Sequence, residues 1–128
     1  MVDVAALAPA LGTVEKLVDL LDREGELPLR AAVWALVDEN DWRLFLVPRE
    51  LSSDRLRPMI KVAWTLSEHS EVLPERHRVD YSVVGMDDPV LVAIAPYVKP
   101  GDRLPRELDG LYGSGRFIEK AIVLAYRP

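Results

Sequence analysis

The chain has 128 residues, 49% of them hydrophobic and 29% charged, a formal net charge of −5 and no cysteine. A single domain of this size, 1–128, buries roughly two-thirds of the surface its unfolded chain exposes, so it needs no disulfide or metal to fold, and the composition excludes a disordered tail. The missing thiols exclude cysteine catalysis and Cys-ligated zinc, and the acidic balance disfavours a polyphosphate partner unless basic residues cluster.

They do not cluster. The densest basic stretch, Arg49, Arg55, Arg57 and Lys61, is interrupted by Glu50 and Asp54, the pattern of a solvated helix face rather than a nucleic-acid footprint. The longest uncharged run, Val4 to Val14, is 11 residues broken by Pro9 and Gly12. That is too short for a membrane span and has no basic residue ahead of it, as a signal peptide would, so a soluble cytoplasmic chain is expected.

In chain order, Leu7, Leu11, Val14, Leu17, Val18 and Leu21 recur at spacings of three and four, predicting a helix that stops at Gly25 and Pro28. Leu29 to Val37 and Trp42 to Val47 read as a hairpin around Asp38-Glu39-Asn40-Asp41. If Val37 opposes Trp42, one face carries Ala31, Val33, Ala35, Val37, Trp42, Leu44 and Leu46. The reverse face then carries Trp34, Leu36, Phe45 and Val47, edged by Arg30 and Arg43.

Ser52, Ser53 and Asp54 are candidate N-caps for a second helix in which Leu56, Met59, Ile60, Ala63, Trp64 and Leu66 lie on one stripe, with Pro58 in its first turn. Val79, Tyr81 and Val83 alternate with Asp80 and Ser82 as a third strand. Asp88-Pro89 pairs an N-cap with a proline at the first helical position, so Pro89 to Val98 reads as a short helix, a buried strand being the alternative. A second hairpin, about Arg106 to Leu111 and Arg116 to Tyr126, turns near Gly113-Ser114-Gly115; a two-residue turn at Gly113-Ser114 sets Glu107 opposite Lys120. The order is α-β-β-α-β-α-β-β: an α+β fold with an antiparallel or mixed five-stranded sheet and helices mainly on one face.

No catalytic constellation emerges. His69 and His77 stand eight residues apart across a proline-containing loop, which is not the spacing of two ligands on one helical face. Ser114 has a turn but not the spacing of a nucleophile elbow, and Glu119-Lys120 lacks the spacer of a metal-dependent nuclease strand. No cofactor or metal is expected. Glu119 shares its strand face with Phe117, Ala121, Val123 and Ala125, so it is either a buried carboxylate in need of a partner or a sign that this face is open to solvent.

Gly115-Arg116-Phe117-Ile118-Glu119-Lys120-Ala121 with Tyr126-Arg127, and upstream Leu27-Pro28 to Trp34, Trp42-Arg43-Leu44 and Asp88-Pro89-Val90-Leu91, resemble a group of small uncharacterised bacterial proteins. Lys120 departs from that pattern, where an acidic residue is expected. The resemblance implies no activity, cofactor or site residue.

Two apolar sheet faces and few helices predict a face that something else must cover. The expectation is a small interaction protein with Arg30, Trp34, Leu36, Arg43 and Phe45 as its contact surface, in a homodimer or against another protein. The competing reading is an enzyme or small-ligand binder with a pocket between sheet and helices and Glu119, Tyr81 or a histidine as its polar group; a nucleic-acid-associated regulator is disfavoured by the charge.

The chain also has no glutamine, one asparagine, ten prolines and twelve arginines among its sixteen basic residues, which fits a thermophile or a GC-rich genome. Thermal adaptation predicts a melting midpoint above about 65 °C by calorimetry; a midpoint of roughly 45–65 °C leaves codon bias as the explanation.

Overall fold

The computed structural model describes residues 8–23, 27–37, 41–50, 54–73, 79–99, 101–113 and 115–127. Three helices, α1 (Ala8–Arg23), α2 (Leu56–Glu68) and α3 (Pro89–Ile94), accompany five strands, β1 (Leu29–Val37), β2 (Asp41–Pro48), β3 (Asp80–Val83), β4 (Arg106–Gly113) and β5 (Arg116–Tyr126). The fold is α+β in the predicted order. The sheet runs β3-β2-β1-β5-β4, with β3 parallel to β2 and every other pair antiparallel. A parallel neighbour needs a crossover, and α2 lies within it.

Strand β1 is central. Apart from Arg30 it carries only apolar side chains, as a strand covered on both faces should. One face, with Leu29, Ala32, Trp34, Leu44, Leu46, Ile122 and Ala125, packs under α1 and Val62 of α2. The other, with Ala31, Val33, Ala35, Val37, Phe45 and Val47, packs against α3 and Leu108 and Leu111 of β4. The two long helices therefore share a face and short α3 covers the opposite one.

Asp88 starts α3 as expected, its carboxylate accepting from the Val90 N–H at 2.9 Å with Pro89 in the first turn. The helix is shorter than predicted: Pro96 sits in a 3-10 turn over Ala95–Tyr97, and Val98 is extended. At α2 the Asp54 carboxylate accepts from the Leu56 N–H at 3.0 Å. The other candidate caps, Ser52 and Ser53, and also His77 and Ser114, lie outside the described residues.

Both hairpin registers differ from the expected ones. Val37 pairs with Asp41 and Leu36 with Trp42, so the connection is 38–40 and β2 is slipped by one residue. Because side chains alternate with period two, that slip exchanges the faces of all of β2. Trp42 thereby joins the face of Trp34, and their rings stack at 5.6 Å between centroids. In the second hairpin Gly113 pairs with Arg116 and Asp109 with Lys120. Lys120 still reaches Glu107, at 2.6 Å along the diagonal, and Asp109 at 3.5 Å.

Strand β5 carries two extra residues against β1. Ile118 pairs with Val37 but Lys120 with Leu36, and Val123 with Val33 but Ala125 with Ala32, leaving Glu119 and Leu124 bulged. At the hairpin end, Gly113 approaches α3 so closely that a Cβ there would lie 2.9 Å from both Cα and Cβ of Ala93. Since one of those contacts is backbone, Gly113→Ala is expected to force α3 off the sheet and cost about 1–3 kcal/mol in urea denaturation; an unchanged midpoint would show that this approach carries no constraint.

Candidate functional site

The expected contact surface is not assembled. Trp34 and Phe45 lie on opposite faces of the sheet as a result of the β2 slip, and Trp34, Leu36 and Phe45 are all fully buried. Arg30 is the extra residue where β1 shifts register against β2 and is exposed. Arg43 is spent on the sheet edge, donating to the Tyr81 carbonyl at 3.4 Å and the Ser82 hydroxyl at 3.2 Å. One chain thus covers both faces, because α3 together with Val84, Met86, Val98 and Leu104 packs on the side that three predicted helices seemed too few to shield.

Glu119 is likewise not a buried carboxylate. The bulge removes it from the row of Ala121 and Val123 and leaves it exposed. Of the other polar groups considered for a pocket, Tyr81 donates through its hydroxyl to the Met59 carbonyl of α2 at 3.4 Å, and the backbone of His69 closes the end of α2 on Thr65. Among the described residues no group of three His, Asp or Glu stands close enough to hold a metal ion.

A cleft of about 540 Å³ opens between α1, Leu104-Pro105 and the end of β5. Its volume suits a small ligand, but four of its charged groups are paired with each other, Arg23 with Asp19 and Arg127 with Asp22. Arg127 pairs with Asp22 at 2.8 Å and donates to the Leu29 carbonyl at 2.9 Å, while the second Asp22 oxygen accepts from the Leu29 N–H at 3.1 Å. This network fixes the start of β1 and the end of β5 to α1. Outside the cleft, Asp102 accepts from the Lys99 N–H at 2.9 Å and from Arg106 at 2.7 Å.

The feature left unengaged is α2. Its inward side is narrow: Val62 and Thr65 are buried and Leu66 is half-buried. The Tyr81 hydroxyl on the Met59 carbonyl and Arg55 on the Val83 carbonyl, 3.3 Å, hold the helix over β3 in this rotation. Of the apolar stripe, Leu66 packs against the core and the rest faces solvent. Leu56 is 65% exposed, Met59 41%, Ile60 57% and Trp64 50%, with Ala63 exposed between them. Four large apolar side chains at helical spacing form one contiguous strip, whereas single exposed apolar residues need no explanation. The nearest rival is the cross-strand pair Tyr112 and Phe117 at the far hairpin.

Comparison with protein-family models, curated proteins and solved structures yields no match.

Two ion pairs contribute to the way stability changes with pH. The hydrogen bond to Glu107, with Asp109 nearby, holds the Lys120 ammonium above its ordinary value of 10.5. Its contribution is fully present below that value and is lost as pH rises through the higher folded one. The Lys99 N–H, then Arg106, holds the Asp102 carboxyl below its ordinary 3.8, a contribution present above that value and lost as pH falls through the lower folded one. Urea midpoints against pH should therefore show Lys120→Met flattening only the alkaline limb and Asp102→Asn only the acid limb. Profiles parallel to wild type would remove both assignments.

Proposed function

We propose that the protein is a small cytoplasmic interaction protein whose contact surface is the outer stripe of α2, offered to another protein chain. The observation that supports this is the exposed strip of Leu56, Met59, Ile60 and Trp64 on a molecule whose sheet faces are otherwise covered. Burying those side chains against a partner removes apolar area from water at about 25 cal/mol per Å². The geometry suits the role, because Tyr81 and Arg55 anchor the helix from the sheet side, and a rigid presenting element loses little freedom on association. Basic residues beside the stripe, Arg57 and Lys61, give it the polar rim of a protein contact. No helix among the described residues is long and apolar enough to cross a membrane.

Trp64→Glu tests the reading through two measurements. An exposed residue away from caps and cores costs within about 0.5 kcal/mol on substitution, so the variant should melt close to wild type. Light scattering over a range of concentrations should show the wild type rising above 14.4 kDa and the variant remaining at one chain. A loss of several kcal/mol would mean that Trp64 belongs to the core. An assembled mass unchanged by the substitution would move the contact elsewhere.

A further inference from the structure

Building on the α2 reading, we infer that the partner is a second copy of this chain, its α2 lying antiparallel across a two-fold axis, with Arg57 of each protomer facing Glu68 of the other. The argument rests on where the charges of α2 lie. Arg57, Lys61, Trp64 and Glu68 are spaced by four, three and four residues, so they line one edge of the helix beside the apolar stripe. The edge is basic at its start and acidic at its end.

That order opposes the helix's own field. The N-terminus of a helix carries partial positive charge and the C-terminus partial negative charge, yet α2 has no acidic residue in its first turn and no basic residue in its last. Arg57 and Lys61 are like charges four residues apart, which destabilises a helix. Among the described residues none of Arg57, Lys61 and Glu68 forms an ion pair within the chain. The Asp54 carboxylate on the Leu56 N–H answers the dipole at the helix start, but among the described residues no group is paired with Arg57, Lys61 or Glu68.

An antiparallel copy supplies such partners. In a two-fold antiparallel helix pair, the same edge of each helix meets itself head to tail. Arg57 then stands opposite Glu68 of the partner subunit, and Lys61 opposite the indole of the partner subunit's Trp64, a cation–π geometry. Each contact occurs twice, and the like-charge neighbours Arg57 and Lys61 gain an acidic and an aromatic counterpart. Ala63 in the middle of the stripe permits close approach. A parallel two-fold copy would set this edge against the opposite edge of its partner and leave both pairs unmade.

One 13-residue helix per protomer, about 20 Å long, makes an interface at or below the low end of stable ones, roughly 1,200 Å² in total. The dimer is accordingly weak and concentration-dependent, and charge complementarity has a visible share in it.

The test is light scattering and sedimentation on Arg57→Glu, on Glu68→Arg and on their equimolar mixture. Each variant alone sets like charges against each other twice and should weaken self-association about tenfold. In the mixture both reciprocal positions regain opposite charges, so a heterodimer should form with nearly wild-type affinity, and the doubly substituted chain should again pair with itself. A mixture no better than either variant alone, with Trp64→Glu still disrupting the wild type, would overturn the antiparallel pairing and leave the α2 surface standing. A wild type that stays at one chain at every concentration would overturn the second copy as partner, and an assembly indifferent to Trp64→Glu would overturn the α2 reading itself.

Discussion

The whole molecule hangs on the burial of β1. From Ala31 to Val37 it pairs on both edges, with β2 and β5, and is covered on both faces, by α1 and α2 on one side and by α3 on the other. Every backbone polar group in such a strand must pair with a neighbour, so the registers of β2 and β5 are set by β1. The stacking of Trp34 on Trp42 and the packing of Phe45 under Arg116, 5.9 Å from ring centroid to guanidinium carbon, follow from those registers. The indole N–H of Trp34 is buried without a hydrogen-bond partner, so this residue is held by its apolar area and its stacked neighbour. The cost of an unpaired donor, about 1–3 kcal/mol, is tolerated where the surrounding burial is deepest.

How much of this was legible in the sequence depends on which kind of signal carried each element. Punctuation by proline, aspartate and glycine located α3 and both hairpins, because those residues act locally through fixed φ, capping and positive φ. Register is not local. Whether Asp41 belongs to a loop or to the first pair of β2 changes nothing in composition, yet it decides whether Phe45 shares a face with Trp34. The bulges at Glu119 and Leu124 are equally silent: β5 reads as an alternating strand throughout, and only its pairing against a shorter run of β1 shows that two residues are supernumerary. A contact surface built from Trp34, Leu36 and Phe45 inherits the error of the register from which it was assembled.

The direction in which the stripe of α2 faces was not legible for a different reason, and a more instructive one. Apolar periodicity reports that a helix has one sticky side; it does not report what that side touches. The usual inference is that it faces the core, because the other side is polar. Here the opposite side is not polar enough to settle the matter: Val62, Thr65 and Leu66 make a second, smaller apolar row. Two polar contacts accompany the observed rotation. The Tyr81 hydroxyl needs an acceptor and finds the Met59 carbonyl, and Arg55 reaches the last carbonyl of β3.

Small residues on the inward row also fit the space available. Residues of α1 already fill the region above Trp34 and Leu46 with Val14, Leu17, Val18 and Leu21. Turning Leu56, Ile60 and Trp64 inward would demand volume that a close-packed interior lacks, and overpacking costs about 1–3 kcal/mol per site. The helix is thus placed by what the core can admit, and its larger apolar side is left over. Such a remainder on a surface helix would ordinarily be worn down to polar residues without loss to the fold, since none of Leu56, Ile60 and Trp64 closes the core. Its combination with an edge charged against the helix dipole is what gives the strip a direction, for an apolar stripe alone fits any apolar surface, whereas Arg57, Lys61 and Glu68 fit best a helix of opposite polarity.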